Sequence, residues 1–214
     1  MKLGYDVCES TIAKYMVQRL GPPSQTWKTF FRNHMAEIVA IDFFTVPTAT
    51  FRTIYVFLIL SLDRRHIIHF NVASNPTPDW TSLQLIQAFP FDTAPRYLIR
   101  DRDGVYGPKV IDTLDFLDIE QIVTAPRSPW QNGFCERIIG TIRRECLDHV
   151  IVLNERHLRR VLKEYLAYYH KSRTHLGLEK DAPEPRAVQT QEMGPVASEP
   201  VLGGLHHRYF RKAA

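Results

Sequence analysis

Apolar and polar positions alternate or recur along the chain in a way that changes character twice. From residue 37 the order Glu37-Ile38-Val39-Ala40-Ile41-Asp42-Phe43-Phe44 is β-branched and aromatic, which predicts a buried strand over 37–44 with one carboxylate inside it. Two further apolar runs, 54–60 and 66–72, flank the charged turn Asp63-Arg64-Arg65 and predict two more strands. Pro76-Thr77-Pro78-Asp79 then opens a helix to about Phe89, on which Leu83, Ile86 and Gln87 recur at helical spacing. A fourth strand over 96–101, a helix over 108–117 and a fifth strand over 119–124 follow. Beyond a loop with two prolines at 125–132 come amphipathic helices over 133–146 and 154–170, the second N-capped by Asn154.

Three strands in succession, then strand and helix in alternation, predict an α/β fold: one mixed five-stranded sheet with helices on its faces. Residues 1–20 carry Ile12, Tyr15 and Met16 behind a Gly turn. That pattern suits a partial helix-turn-helix remnant, with no residues left upstream for the first helix of such a unit. The stretch 21–36 reads as a linker, because Pro22 and Pro23 stop helix and strand alike. The end, 181–214, is rich in Pro, Glu and Gln and reads as an extended tail, closed by the basic and aromatic segment Leu205-His206-His207-Arg208-Tyr209-Phe210-Arg211.

Composition narrows the class. With 214 residues, 44% hydrophobic and 23% charged, the chain can bury a real core. Its longest apolar run, 54–60, is far short of the roughly 20 residues of a membrane-spanning helix. Three cysteines (Cys8, Cys135, Cys146) without a paired spacing argue against a disulfide scaffold or a cysteine zinc site, and for a reducing cytosol. The net charge is only +4, yet residues 126–175 hold ten Lys/Arg against five acids, so this stretch carries more than the whole excess. It is either a phosphate-facing surface or a solvated helix face laced with i,i+4 ion pairs.

Three carboxylates stand where folding alone has little use for them. Asp42 interrupts an apolar strand, and an unpaired buried carboxylate is costly. Asp101 ends the fourth strand, at the sheet edge where α/β folds place their sites. Glu136 lies on the first turns of a helix. If they converge, they repel one another unless cations neutralise them, and hard divalent ions bound through carboxylates do so. Taken singly, each also suits a structural part, such as a turn acceptor or a partner of the helix dipole.

The words around these acids resemble the integrase core of DDE transposases, the kind found in bacterial insertion sequences and retroviral integrases. Ile41-Asp42-Phe43-Phe44 is similar to that family's first-aspartate strand. Leu98-Ile99-Arg100-Asp101-Arg102-Asp103-Gly104-Val105-Tyr106-Gly107 resembles its second-aspartate segment. Pro126-Arg127-Ser128-Pro129-Trp130-Gln131-Asn132-Gly133-Phe134-Cys135-Glu136-Arg137 resembles its Asn-Gly-x-x-Glu-Arg word, the most specific of the matches. The stretch Tyr169-His170-Lys171-Ser172-Arg173-Thr174-His175-Leu176-Gly177-Leu178 is similar to its Tyr-Asn-x-x-Arg-x-His-x-x-Leu ending. Two aspartates compete in the second segment. In the family an aromatic follows the catalytic Asp by five positions, which selects Asp101 opposite Tyr106. The spacing of 34 residues to Glu136, rather than 32 from Asp103, fits the family better.

The resemblance implies an RNase H-like fold, with 37–180 as the catalytic core. It implies DNA cleavage and strand transfer by Asp42, Asp101 and Glu136 holding two Mg²⁺ ions, with Mn²⁺ as a substitute; Asp42 would bridge the pair. Its partners would be DNA, both element ends and target, with the protein a homo-oligomer on DNA in the bacterial cytoplasm, associated with the nucleoid. Arg127, Trp130, Asn132, Arg137, Arg143, Arg144 and Arg173 are the candidate DNA contacts. For Arg137 and Arg143 the alternative is ion pairing with Glu136 or Glu145, and for Trp130 it is packing on the sheet rather than stacking on a base. Asn132 and Gly133 shape the loop beside the acids, Cys135 reads as a small core residue, and His170 and His175 read as packing or capping groups. Two other functions stay open: a catalytically silent DNA-binding remnant, and a metal-dependent nuclease on the same fold.

Overall fold

In the computed structural model, which describes residues 26–90, 93–126 and 129–212, the strands form where the apolar runs predict them. They are β1 (Ile38–Pro47), β2 (Thr53–Ser61), β3 (His66–Ala73), β4 (Tyr97–Arg100) and β5 (Glu120–Val123), in the order β3-β2-β1-β4-β5. β1 pairs antiparallel with β2, and β2 with β3, as a meander; β1–β4 and β4–β5 are parallel. The sheet is therefore mixed, as expected. β1 runs on to Pro47, beyond its predicted end at 44. Proline is tolerated there because its pairing with β4 has already stopped at Ala40 and only β2 remains beside it.

Helices cover both faces. On one, α2 (Pro78–Ala88) and α3 (Pro108–Phe116) close a core of Val39, Ile41, Phe57, Ile59, Leu85 and Leu98, all essentially without solvent contact. Each such side chain contributes about 1.5–3 kcal/mol by leaving water. Thr77 caps α2, accepting from the Trp80 N–H (3.2 Å), and Pro78 at the first position loses no needed donor. On the other face α4 (Gly133–Glu145) lies along β1 and α5 (Glu155–Lys171) along β3. Asn154 does cap α5, through the His157 N–H at 2.9 Å.

Two regions differ from their sequence reading. Within the stretch read as linker, Trp27–His34 is a helix, α1, because Trp27, Phe30 and Phe31 recur at helical spacing; the Trp27 ring stacks on Phe30 at 5.7 Å and meets Phe31 edge-on at 4.9 Å. The tail is not wholly extended: β6 (Val196–Val201) and β7 (His206–Arg211) form an antiparallel hairpin. His206 anchors it, stacked on Tyr168 at 4.6 Å while its Nε2 donates to the Glu145 carbonyl at 2.7 Å. The suggested helix-turn-helix remnant at 1–20 lies outside the described residues. Among the described residues, no helix is long and apolar enough to cross a membrane.

Candidate active site

Register places the first two acids side by side. β1 and β4 are paired through Ala40↔Ile99, and two residues further along both strands are Asp42 and Asp101, on the same face of the sheet. α4 is pinned against β1 beside that spot. Asn132, just before it, donates from Nδ2 to the Ile41 carbonyl (3.2 Å), and the Cys135 thiol lies 3.9 Å from the Ala40 carbonyl. Glu136, next along α4, is exposed above β1. Around Asp101 the chain makes two successive side-chain turns: its Oδ1 accepts from the Asp103 N–H (3.1 Å), and the Asp103 Oδ1 accepts from the Val105 N–H (3.1 Å). Asp103 thus holds the turn before Gly104.

The electrostatics show that these acids share one field. The Asp42 carboxyl is pushed from its ordinary value of 3.8 up to about 7, chiefly by burial, then by the negative charge of Asp101, with Glu136 and Asp103 adding to it. Among the described residues the opposing contribution is the Phe43 N–H, which donates to Asp42 Oδ1 at 2.8 Å. Burial also raises the Cys135 thiol well above its usual range, and Asp42, Glu136 and Asp101 raise it further. It stays protonated, a small core group as the sequence suggests.

Two residues here escaped the sequence reading as functional groups. Tyr106 served there only to choose between aspartates, yet its ring is buried, and its hydroxyl has no hydrogen-bond partner among the described residues while facing the field of Asp42 and Asp101. Arg100 is a buried cation in the strand Tyr97-Leu98-Ile99-Arg100. It donates to Gln121 Oε1 (3.1 Å) and to the Asp101 carbonyl (3.0 Å), and its guanidinium sits 5.5 Å from the centre of the Tyr106 ring. A cation ending an apolar strand beside an acid was the available signal.

The proposed DNA contacts divide. Arg137 lies over the Phe134 ring at 5.9 Å, and neither it nor Arg143 is ion-paired among the described residues. Arg143 donates to the Thr45 carbonyl (3.0 Å) over the Phe44 ring, and Arg144 is exposed, its guanidinium filling the space left by Gly140. These three stand on the helix that bears Glu136. Arg127 lies outside the described residues, and Trp130 belongs to the short turn Pro129–Asn132.

Arg173 is committed elsewhere. It grips Glu145 with two nitrogens (Nε to Oε2 2.7 Å), Tyr165 donates its hydroxyl to the same carboxylate at 2.9 Å, and His175 accepts from Arg173 at Nδ1 (3.0 Å). Burial and the Arg173 charge lower His175 to about 4, so it stays neutral. Arg173 thus staples the ends of α4 and α5 together. Arg173→Ala is expected to cost about 2–3 kcal/mol in urea unfolding, somewhat less than a fully buried pair because both groups keep some solvent contact. Loss of DNA affinity without loss of stability would assign it to DNA instead.

Among the described residues, the three metal-ligating side chains whose donor atoms all approach within 4.8 Å are His66, His170 and Glu184, not the acids. That histidine pair does not chelate as it stands. The rings stack parallel at 4.2 Å, so their in-plane lone pairs do not converge, and His170 Nε2 already accepts from the Ile67 N–H at 3.0 Å. Burial, then His66, lowers His170 to about 4. It is a packing group, tying the end of α5 to β3.

Comparison with known proteins bears on the fold. Residues 117–183 match the family model of the integrase core domain. The fold is similar to the HTLV-2 integrase catalytic core domain solved with magnesium (TM-score 0.56, 11% identity, 69% of this chain and 93% of that one). It is also similar to the Mos1 transposase catalytic domain solved with raltegravir and magnesium (TM-score 0.54, 15% identity, 64% and 75%). A third likeness is to a chain of the simian T-cell lymphotropic virus intasome bound to the PP2A regulatory subunit B56 gamma (TM-score 0.55, 14% identity, 83% and 67%). At these identities the structural likeness shows the fold. No curated protein sequence matches the chain. The family-model match covers 67 of the 214 residues, and the structural likeness lies in the five-stranded mixed sheet flanked by helices that this chain has in common with integrase and transposase catalytic cores.

Proposed function

We propose that this integrase-type core catalyses divalent-metal-dependent DNA cleavage and strand transfer through Asp42, Asp101 and Glu136. The observation that carries the reading is Asp42: a carboxyl built into a buried strand and raised to about 7 by burial and by its acidic neighbours. Such a group destabilises the metal-free fold, and a cation would relieve it. The donor set fits hard divalent cations, because every candidate ligand is a carboxylate oxygen. Asp42, Asp101 and Glu136 are the residues that would hold such ions.

Bound there, two Mg²⁺ or Mn²⁺ ions would supply charge neutralisation, activation of the attacking water or 3′-hydroxyl oxygen and stabilisation of the leaving one. The protein's own groups do the rest. Asn132 fixes α4 against β1 and so sets the height of Glu136 over the sheet. Arg100, held between Gln121 and the Asp101 backbone, keeps the end of β4 in place. Arg137, Arg143 and Arg144 present cations along one helix to the phosphates of a strand laid across it. The working unit on DNA is read as more than one copy; the HTLV-2 core is known in dimeric and trimeric forms.

The competition between Asp101 and Asp103 gives the direct test. Asp101→Asn should abolish metal-dependent nicking of supercoiled plasmid, whereas Asp103→Asn, which keeps a side-chain acceptor for the Val105 N–H, should retain most of it. The reverse pattern would move the second ligand to Asp103. Equal activity in both variants and the wild type would end the reading.

A further inference from the structure

Past the end of β4 the sheet narrows to an arm. β1 loses its β4 partner after Ala40 but keeps β2 beside it as far as Pro47↔Thr53. The turn at 48–52 is firmly built. Thr48 N–H donates to the Arg52 carbonyl (2.8 Å), Arg52 N–H to Thr48 Oγ1 (3.0 Å) and Phe51 N–H to the Thr48 carbonyl (2.9 Å). Ala49 N–H donates to the Val152 carbonyl (2.7 Å), tying the tip to the segment before α5.

At the apex stands Phe51, 94% exposed and with φ at +59°. The left-handed region disfavours a bulky side chain, and glycine would adopt it freely. An aromatic ring held in water on a strained backbone is not accounted for by packing or by the turn.

Beside it lies a cavity of about 460 Å³ lined by Thr48, Thr50, Arg52, Ser74, Arg156 and Arg159, together with Glu155 at the start of α5. Most of the polar groups there are already engaged. Arg159 donates to Asn71 Oδ1 and the Val72 carbonyl, Glu155 accepts from the Ser74 N–H and hydroxyl, and Asn154 caps the helix. The helix end is thus satisfied and carries nothing by itself. The guanidinium groups of Arg52 and Arg156 have no partner among the described residues, and with Arg159 they outnumber Glu155, leaving the cavity cationic.

We infer that this tip is a second DNA-contact site: Arg52 and Arg156 take a backbone phosphate while Phe51 stacks on an unpaired base of the same strand. Free cations beside an exposed ring supply the two elements of single-strand recognition, charge for the backbone and a face for the base. The position fits. From Asp42 to Thr48 along β1 is about 20 Å at roughly 3.3 Å per residue, about six steps of DNA at 3.4 Å each. Arg143, bonded to the Thr45 carbonyl, places a cation between the two. The inference rests on the DNA-processing function proposed above, and it adds a grip on the strand well away from the acids.

Binding of a short fluorescent single-stranded oligonucleotide, measured by anisotropy in chelator across a salt series, tests the grip without involving chemistry. The Arg52→Gln/Arg156→Gln double variant is expected to bind about tenfold more weakly and to lower the salt slope by about 1, the counterions of one or two phosphates at ~0.7 each. Phe51→Gly, which suits the backbone and so preserves the fold, should weaken binding at least about fivefold with the slope unchanged. Wild-type affinity and slope in both variants would overturn the proposal. Plasmid nicking by Glu136→Gln, run alongside, separates the two ideas. A lost grip with undiminished nicking in that variant leaves the tip site standing and removes the catalytic reading; intact grip with lost nicking does the opposite.

Discussion

Glu136→Gln should reduce metal-dependent nicking of supercoiled plasmid by about a thousandfold or more. The amide keeps the shape of the side chain and removes a negative charge and one anionic donor from the acid cluster. Charge stabilisation by bound metals is worth several kcal/mol, and each 1.4 kcal/mol is tenfold in rate. Because Glu136 is exposed on the first turns of α4, the substitution should leave the melting temperature within a degree or two. DNA affinity in chelator should be unchanged or slightly higher, since an anion near the phosphates is gone. Nicking at the wild-type rate by a folded, DNA-binding Glu136→Gln protein would remove the three-acid mechanism.

The second large effect concerns stability. Asp42 titrates near 3.8 when unfolded and at about 7 when folded, driven first by burial and then by Asp101. Between those values the folded chain holds a proton that the unfolded chain has released, so the stability of the metal-free protein falls as pH rises from about 4 to about 7 and then levels off. The loss is roughly 1.4 kcal/mol for each pH unit between the two values, a few kcal/mol in all. Asp42→Asn removes it. In chelator at pH 8 the variant is expected to melt about 5–10 °C above the wild type, and the gap should close towards pH 4. Adding Mg²⁺ at pH 8 should raise the wild type and leave the variant where it was. A variant no more stable than the wild type at pH 8 would show that Asp42 is not under this strain.

The sheet was legible in the sequence because its strands are runs rich in β-branched and aromatic residues set between charged or proline-bearing turns, and two of the helices because Thr77, Pro78 and Asn154 mark where they begin. The candidate acids stood out for the opposite reason: Asp42 breaks an apolar strand, where an unpaired carboxylate is costly. What could not be read is what depends on a distant partner. Arg173 sits in a basic stretch and looks like a phosphate contact, but Glu145 lies a whole helix earlier in the chain and only folding shows that the two meet. The Tyr106 hydroxyl and Arg100 gain their meaning from neighbours across β4 and β5. The hairpin of β6 and β7 was hidden because its residues alternate weakly and are held by single contacts to α5, His206 on Tyr168 above all.

The strand order bears on when the proposed site comes together. β1, β2 and β3 follow one another through short turns, so their meander closes with little loss of chain entropy. Asp42 and Asp101 meet only through the β1–β4 pairing, between partners 59 residues apart in the chain. A molecule that has folded as far as the meander, or has lost β4 by local unfolding, carries Asp42 alone. Under the proposed mechanism the metal site would exist only in a chain in which β1 and β4, the partners in this sheet that lie farthest apart in sequence, have paired.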